Sequence, residues 1–166
     1  MAEMFLRLEG IVGESTDLAH GGPRPHVNEI ELIGWDWELK NEAKFELKPE
    51  ESAKQMKPDK LTVVKGVDLA SARLMQYCTL GTLITKATLT CRKRAGDQRL
   101  EYLVIDLTNV KVMSVTWDKE EHIVKETVDL AFVKIEAKYL KQNNETGGAA
   151  DGVVRFGWDF SDNKPT

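Results

Sequence analysis

The chain has 166 residues, enough for one domain with an ordinary buried core, and its 42% hydrophobic and 30% charged content excludes a disordered, collagenous or low-complexity protein. With 23 Lys and Arg against 27 Asp and Glu, the net charge of −4 argues against a dedicated nucleic-acid binder. The opening Met1-Ala2-Glu3-Met4 has no basic and apolar leader, and no apolar run approaches the ~20 residues of a membrane helix, so a cytoplasmic, unanchored start is expected.

Apolar alternation at period two recurs in short blocks punctuated by Gly, Asn and Asp, which predicts a mainly β fold, sandwich or barrel, in a single domain over residues 1–166. The first strand covers residues 4–8, with Met4, Leu6 and Leu8 on one face and Arg7 on the other; residues 13–26 then read as a polar loop that His20 serves. A second strand is predicted over residues 27–39. Its alternation puts Ile33, Trp35 and Trp37 on one face and Ile30, Leu32, Gly34 and Asp36 on the other.

Residues 41–60 hold five Lys, five Asp or Glu and two prolines, Pro49 and Pro58, with few apolar side chains. Such a segment cannot bury much of itself, so it reads as a long charged excursion, either a solvated loop or a contact arm. A short strand over residues 61–64 precedes the one predicted helix. Asp68 is the expected N-cap, Val67, Ala70, Leu74, Tyr77 and Cys78 form its apolar stripe, and Gly81 sits where a left-handed glycine ends a helix.

Beyond the helix, Leu83, Ala87, Leu89 and Cys91 alternate with polar residues, and Arg94-Ala95-Gly96-Asp97 supplies a hairpin turn. The partner strand over residues 99–107 is apolar on both faces and so should be central. Thr108-Asn109 is expected to turn the chain into a strand over residues 110–117, and the charged residues 118–122 to turn it again. In the long strand over residues 123–139 the apolar phase switches from Val128, Leu130 and Phe132 to Val133, Ile135, Ala137 and Tyr139, which predicts a β-bulge near Phe132. A last strand follows the polar residues 141–151, with Val154, Phe156, Trp158 and Phe160 alternating.

Catalytic and metal-binding signatures are sparse. Cys78 and Cys91 lack CxxC spacing and read as reduced core thiols, and His20, His26 and His122 make no zinc-ligand pattern, so neither a metal nor a cofactor is expected. Ser15, Asp17 and His20 could be assembled into a hydrolase triad, but spacing alone makes such a trio cheap to find, and loop hydrogen bonding explains the same residues. Asp36 must face water or a partner, because an unpaired buried carboxylate costs several kcal/mol.

Several segments together resemble the haemolysin co-regulated proteins (Hcp), the tube proteins of bacterial type VI secretion systems. They are Met4-Phe5-Leu6-Arg7-Leu8, Gly13-Glu14-Ser15 with Asp17 and His20, the strand from Ile30 ending in Trp35-Asp36-Trp37, and Leu61-Thr62-Val63-Val64-Lys65. Ala87-Thr88-Leu89-Thr90-Cys91-Arg92-Lys93, Glu101-Tyr102-Leu103-Val104-Ile105 and Arg155-Phe156-Gly157-Trp158-Asp159 come after them in the same order, covering nearly the whole chain. The charged residues 41–60 depart from the Gly- and Ser-rich loops of many members.

The resemblance implies a small closed β-barrel with one flanking helix and an extended loop. It also implies hexameric rings stacked into a tube, effectors in the lumen, and sheath and spike proteins as partners, the tube leaving the cell without a cleaved signal peptide. It implies no catalysis, no nucleic acid and no membrane insertion. On this reading Asp36 is a candidate lumen residue that contacts cargo, and Phe45, Leu47, Lys48, Glu50 and Met56 of the arm are candidate ring contacts. A monomeric β-barrel binding module is the rival reading.

Overall fold

The computed structural model describes residues 3–18, 22–41, 56–143 and 149–166. Its elements are β1 (Glu3–Leu8), β2 (Ile30–Glu31), β3 (Gly34–Asp36), β4 (Leu61–Gly66), α1 (Ser71–Leu80), β5 (Ile84–Ala95), β6 (Gln98–Glu120), β7 (Ile123–Gln142), β8 (Ala149–Asp159) and β9 (Lys164–Pro165). They form one nine-stranded antiparallel sheet in the order β2-β1-β5-β6-β7-β4-β3, with β8 on β7 and β9 on β8. Among the described residues the fold is therefore mainly β with one helix. The sheet is not closed into a barrel, because no ladder joins β2 to β3. The two ends meet instead through the chain, the Leu32 N–H donating to Met4 O at 2.9 Å and the Ile33 N–H to Val64 O at 2.7 Å.

The expected strand over residues 27–39 is thus two short strands, and its faces divide differently from simple alternation. Ile30 and Leu32 are buried in the core and Ile33 is exposed, whereas Trp35 and Trp37 pack partly against the core. The bend at Leu32–Ile33, where the chain leaves β1 for β4, inverts the phase. A second correction concerns Thr108-Asn109. The chain does not turn there; β6 runs unbroken for 23 residues, and its turns lie at Gly96-Asp97 and Glu121-His122.

The phase switch read at Phe132 is present, but its cause is not an extra residue in β7. Ile84, Val110 and Phe132 lie side by side on β5, β6 and β7, as do Ala87, Leu107 and Ile135, and all six are buried. All three strands therefore change phase at one level while keeping register. Asn109 sits at that level with φ +56°, a left-handed conformation that Asn tolerates better than most residues. At the same level β7 exchanges β4, paired up to Leu130, for β8, paired from Lys134, and the Phe160 N–H donates to Val133 O at 2.9 Å. The β6–β7 bulge falls at Met113, on the partner strand and closer to the hairpin end.

The helix packs its buried Leu74 on the sheet and ends at Gly81, whose φ of +63° and N–H bond to Tyr77 O make the expected stop. Asp68 is not the N-cap; Ala70 is. The Asp68 carboxylate sits two residues earlier, accepts the Ala70 N–H at 2.9 Å and pairs with the fully buried Lys65 ammonium at 2.7 Å. Val67, expected on the apolar stripe, is exposed, because it precedes the first helical turn.

Candidate functional site

The first long loop closes over the outward face of β1 and β5. Its two ends zip together: the Gly13 N–H donates to Asn28 O, Ser15 N–H to Glu29 O, and Asn28 N–H to Ser15 O, at 2.8, 3.0 and 2.8 Å. Gly13 is required by space. A Cβ there would lie 2.7 Å from the Ile30 nitrogen and closer still to the Glu29 carbonyl, and backbone cannot swing aside as a side chain can. Gly13→Ala is expected to destabilise the protein by about 1–3 kcal/mol, measurable in urea unfolding; an unchanged midpoint would show that the loop is not held in this register.

Below this zip lie two ionic clusters joined through Phe5. Arg92, with no exposed surface, donates in bidentate fashion to both Asp17 oxygens at 2.8 Å and through Nε to Glu3 at 2.8 Å, while Arg99 reaches Asp17 at 3.1 Å. His26, equally buried, stacks on Phe5 with centroids 4.2 Å apart and planes 7° apart, and the Arg92 guanidinium carbon lies 4.9 Å from the same ring. The His26 Nδ1 meets Glu29 at 2.7 Å and Nε2 meets Glu101 at 3.0 Å; Arg24 adds a 2.6 Å contact to Glu29.

A neutral imidazole donates from one nitrogen only, so two carboxylate partners call for the imidazolium. Burial alone pushes the His26 pKa down, but the hydrogen bonds to Glu101 and Glu29 and the charge of Glu29 outweigh it, and the net shift is upward. Glu29 moves the opposite way: burial pushes it up, and the hydrogen bonds from His26 and Arg24 bring it below its ordinary value. A third cluster lies at the other end of the sheet, where Lys65 and Glu126, both fully buried, pair at 3.1 Å and the Trp117 indole N–H donates to Glu126 at 2.6 Å.

These contacts account for the hydrolase candidates. Ser15 is buried, its Oγ accepts the Asp17 N–H at 3.3 Å, and the Asp17 carboxylate is held by Arg92 and Arg99. His20 lies outside the described residues. Cys91 is buried and Cys78 half-buried, both as free thiols. Among the described residues no group of His, Cys, Asp and Glu is placed to hold a metal ion.

Asp36 is exposed on β3 opposite Thr62, with Trp35 and Trp37 beside it packed on the core, so a carboxylate facing water or a partner is what the fold presents. Of the arm, Met56 packs partly on the core and its N–H donates to Asn163 Oδ1 at 3.2 Å. Phe45, Leu47, Lys48 and Glu50 lie outside the described residues. The ionic clusters leave almost no signal in the sequence. The one hint is Phe5, an apolar residue on the Arg7 face of β1 that needs a cover.

Comparison with known proteins meets this geometry along almost its full length. The family described as "Type VI secretion system effector, Hcp" matches residues 5–139. Protein hcp1 of Pseudomonas aeruginosa is 30% identical over 164 residues, covering 97% of this chain and 96% of that protein. The crystal structure of Hcp1 from Salmonella typhimurium superposes with a TM-score of 0.78 at 30% identity and covers 99% of each chain. A structure described as that of a type six secretion system protein reaches a TM-score of 0.85 at 25% identity over the whole of both chains. With a family match across most of its strands and a relative of this identity along nearly its whole length, the chain belongs to the Hcp family of type VI secretion system proteins.

Proposed function

We propose that this chain is the tube subunit of a bacterial type VI secretion system, a single domain that closes into hexameric rings, stacks them and carries effectors through the lumen. The observation that carries the reading is the family match over residues 5–139 together with full-length structural similarity to Hcp1 of Salmonella typhimurium and to a type six secretion system protein. The architecture supports it: subunits that close a ring need two different surfaces, and β8, paired with the C-terminal half of β7, lies off the strand path whose ends are β2 and β3. The link through Leu32 and Ile33, hydrogen-bonded to β1 and β4, joins the β2 and β3 ends of the open sheet without a β2–β3 ladder, which supports the reading of a small barrel.

Within this reading the sheath and spike proteins contact the assembled tube, and the tube is secreted without a cleaved signal peptide. The arm that holds Phe45, Leu47, Lys48, Glu50 and Met56 serves ring-to-ring contact. Asp36, exposed on β3, is available to the lumen or to a neighbouring subunit. The test is sedimentation with light scattering on the purified chain: the expected species is a ring of about six copies of the 18.7 kDa subunit, visible as an annulus by electron microscopy. A monomer at high concentration would overturn the reading in favour of a stand-alone binding module.

A further inference from the structure

We propose that the outward face of β6–β7–β8 on one copy receives the β2–β3 edge of the next copy, with Lys138 and Arg155 answering Glu31, Asp36 and Glu38. This rests on the ring reading and names the surfaces that make the ring. Lys138 and Arg155 are directly opposite each other across the β7–β8 ladder, and both are exposed. Like charges in that position repel. Neighbouring cations on the same face are answered within the chain, Lys86 by Asp106 at 3.7 Å and Lys134 by Glu136 at 3.8 Å. Neither Lys138 nor Arg155 forms an ion pair among the described residues.

The surroundings of the pair suit a partner carrying both acid and apolar groups. A shallow groove of about 460 Å³ runs beside Lys138 with Val104 and Leu140 in its lining. On β8, Val153 and Val154 are 46% and 67% exposed, and as successive strand residues they face opposite sides. Only Trp158 and Asp159 of that strand pair with β9, so the rest of its outer edge is unpaired among the described residues. A long uncovered edge with apolar side chains on both faces is a strand poised for another chain.

The same molecule offers the complement away from β8, where the chain link at Leu32 and Ile33 joins β2 to β3. From β2 through β3 to the residues just after it, Glu31, Ile33, Asp36 and Glu38 are exposed, and none of the three carboxylates is ion-paired among the described residues. Ile33, half exposed between these acids, fits the apolar lining of the groove. Because donor and acceptor surfaces are different patches, the contact is head-to-tail, and repeating it with a closing rotation generates a ring rather than a two-fold dimer.

A charge swap tests this directly. Asp36→Arg and Arg155→Glu, each alone, should raise the concentration at which rings dissociate by about tenfold or more, the equivalent of about 1.4 kcal/mol. The double variant should return it to near the wild-type value. Lys138→Glu with Glu38→Lys repeats the swap at the neighbouring pair, and since all four residues are exposed, circular dichroism and melting should be unaltered. Rings of wild-type stability in either single variant, or a double variant no better than the singles, would overturn the pairing while leaving the ring intact. A monomeric wild type would overturn the ring itself and this contact with it.

Discussion

Replacing Arg92 with methionine is expected to lower the stability of the protein by about 3 kcal/mol, the low end of the range for breaking a buried ion pair. Arg92 has no exposed surface and makes three short charge-assisted bonds, two to Asp17 and one to Glu3. Methionine fills much the same volume, so the loss is electrostatic: Asp17, mostly buried, loses its bidentate partner and keeps Arg99 at 3.1 Å and the His26 N–H at 3.4 Å. Those retained contacts set the estimate at the low end. Asp17→Asn should cost less, and the Arg92→Met/Asp17→Asn pair should be less destabilised than the sum of the singles by about 1 kcal/mol or more, because removing both charges leaves none stranded. Urea unfolding of the four proteins checks it. A loss below about 1 kcal/mol for Arg92→Met would place the cluster with solvent-exposed pairs, which contribute little.

Periodicity and turn chemistry are legible in the sequence; the covering of the sheet faces is not. The strands around Met4, Leu61, Leu89 and Val128 alternate cleanly because one face of each meets the core, and Gly81 and Gly96 mark left-handed positions that few other residues accept. Asn109 is deceptive for a physical reason: Asn in the left-handed region commonly marks a turn, but here it rotates the side-chain phase of three strands in register while the chain continues. The charge clusters are harder to see. Arg92 is one of the polar positions that alternate with Ala87, Leu89 and Cys91; the register of β1 with β5 and the loop folded above make it the largest fully buried side chain among the described residues. Asp36 is readable as exposed because alternation against two tryptophans leaves it no other place, whereas its use depends on a neighbouring molecule that one chain does not contain.

Stability is expected to fall as pH rises from about 6 to 9, and His26→Gln should remove that dependence. His26 is held between Glu29 at 2.7 Å and Glu101 at 3.0 Å with no exposed surface, and its folded-state pKa lies above its ordinary value. A raised pKa means that the folded protein binds the proton more tightly than the unfolded chain. The stabilisation is therefore complete below the unfolded value, about 6.5, and is lost as pH climbs through the folded value. The other groups facing the ring do not cancel this. The Arg24 guanidinium opposes the imidazolium but does not reverse the upward shift, and Glu29, depressed by His26 and Arg24, holds its charge across the window. On the acid side the sign reverses: the Glu29 contribution is present above the ordinary carboxylate range and disappears as pH falls through its lowered folded value. Glutamine keeps an amide donor for one carboxylate but carries no charge, leaving Glu29 and Glu101 close together with Arg24 alone between them; the expected loss is about 2 kcal/mol or more at pH 6. As pH climbs through the folded value the wild type sheds the same proton, so the gap between the two proteins should narrow. Parallel stability curves for wild type and His26→Gln from pH 6 to 9 would show that the ring is held neutral, and that the loop over Phe5 is secured by the Arg92 cluster instead.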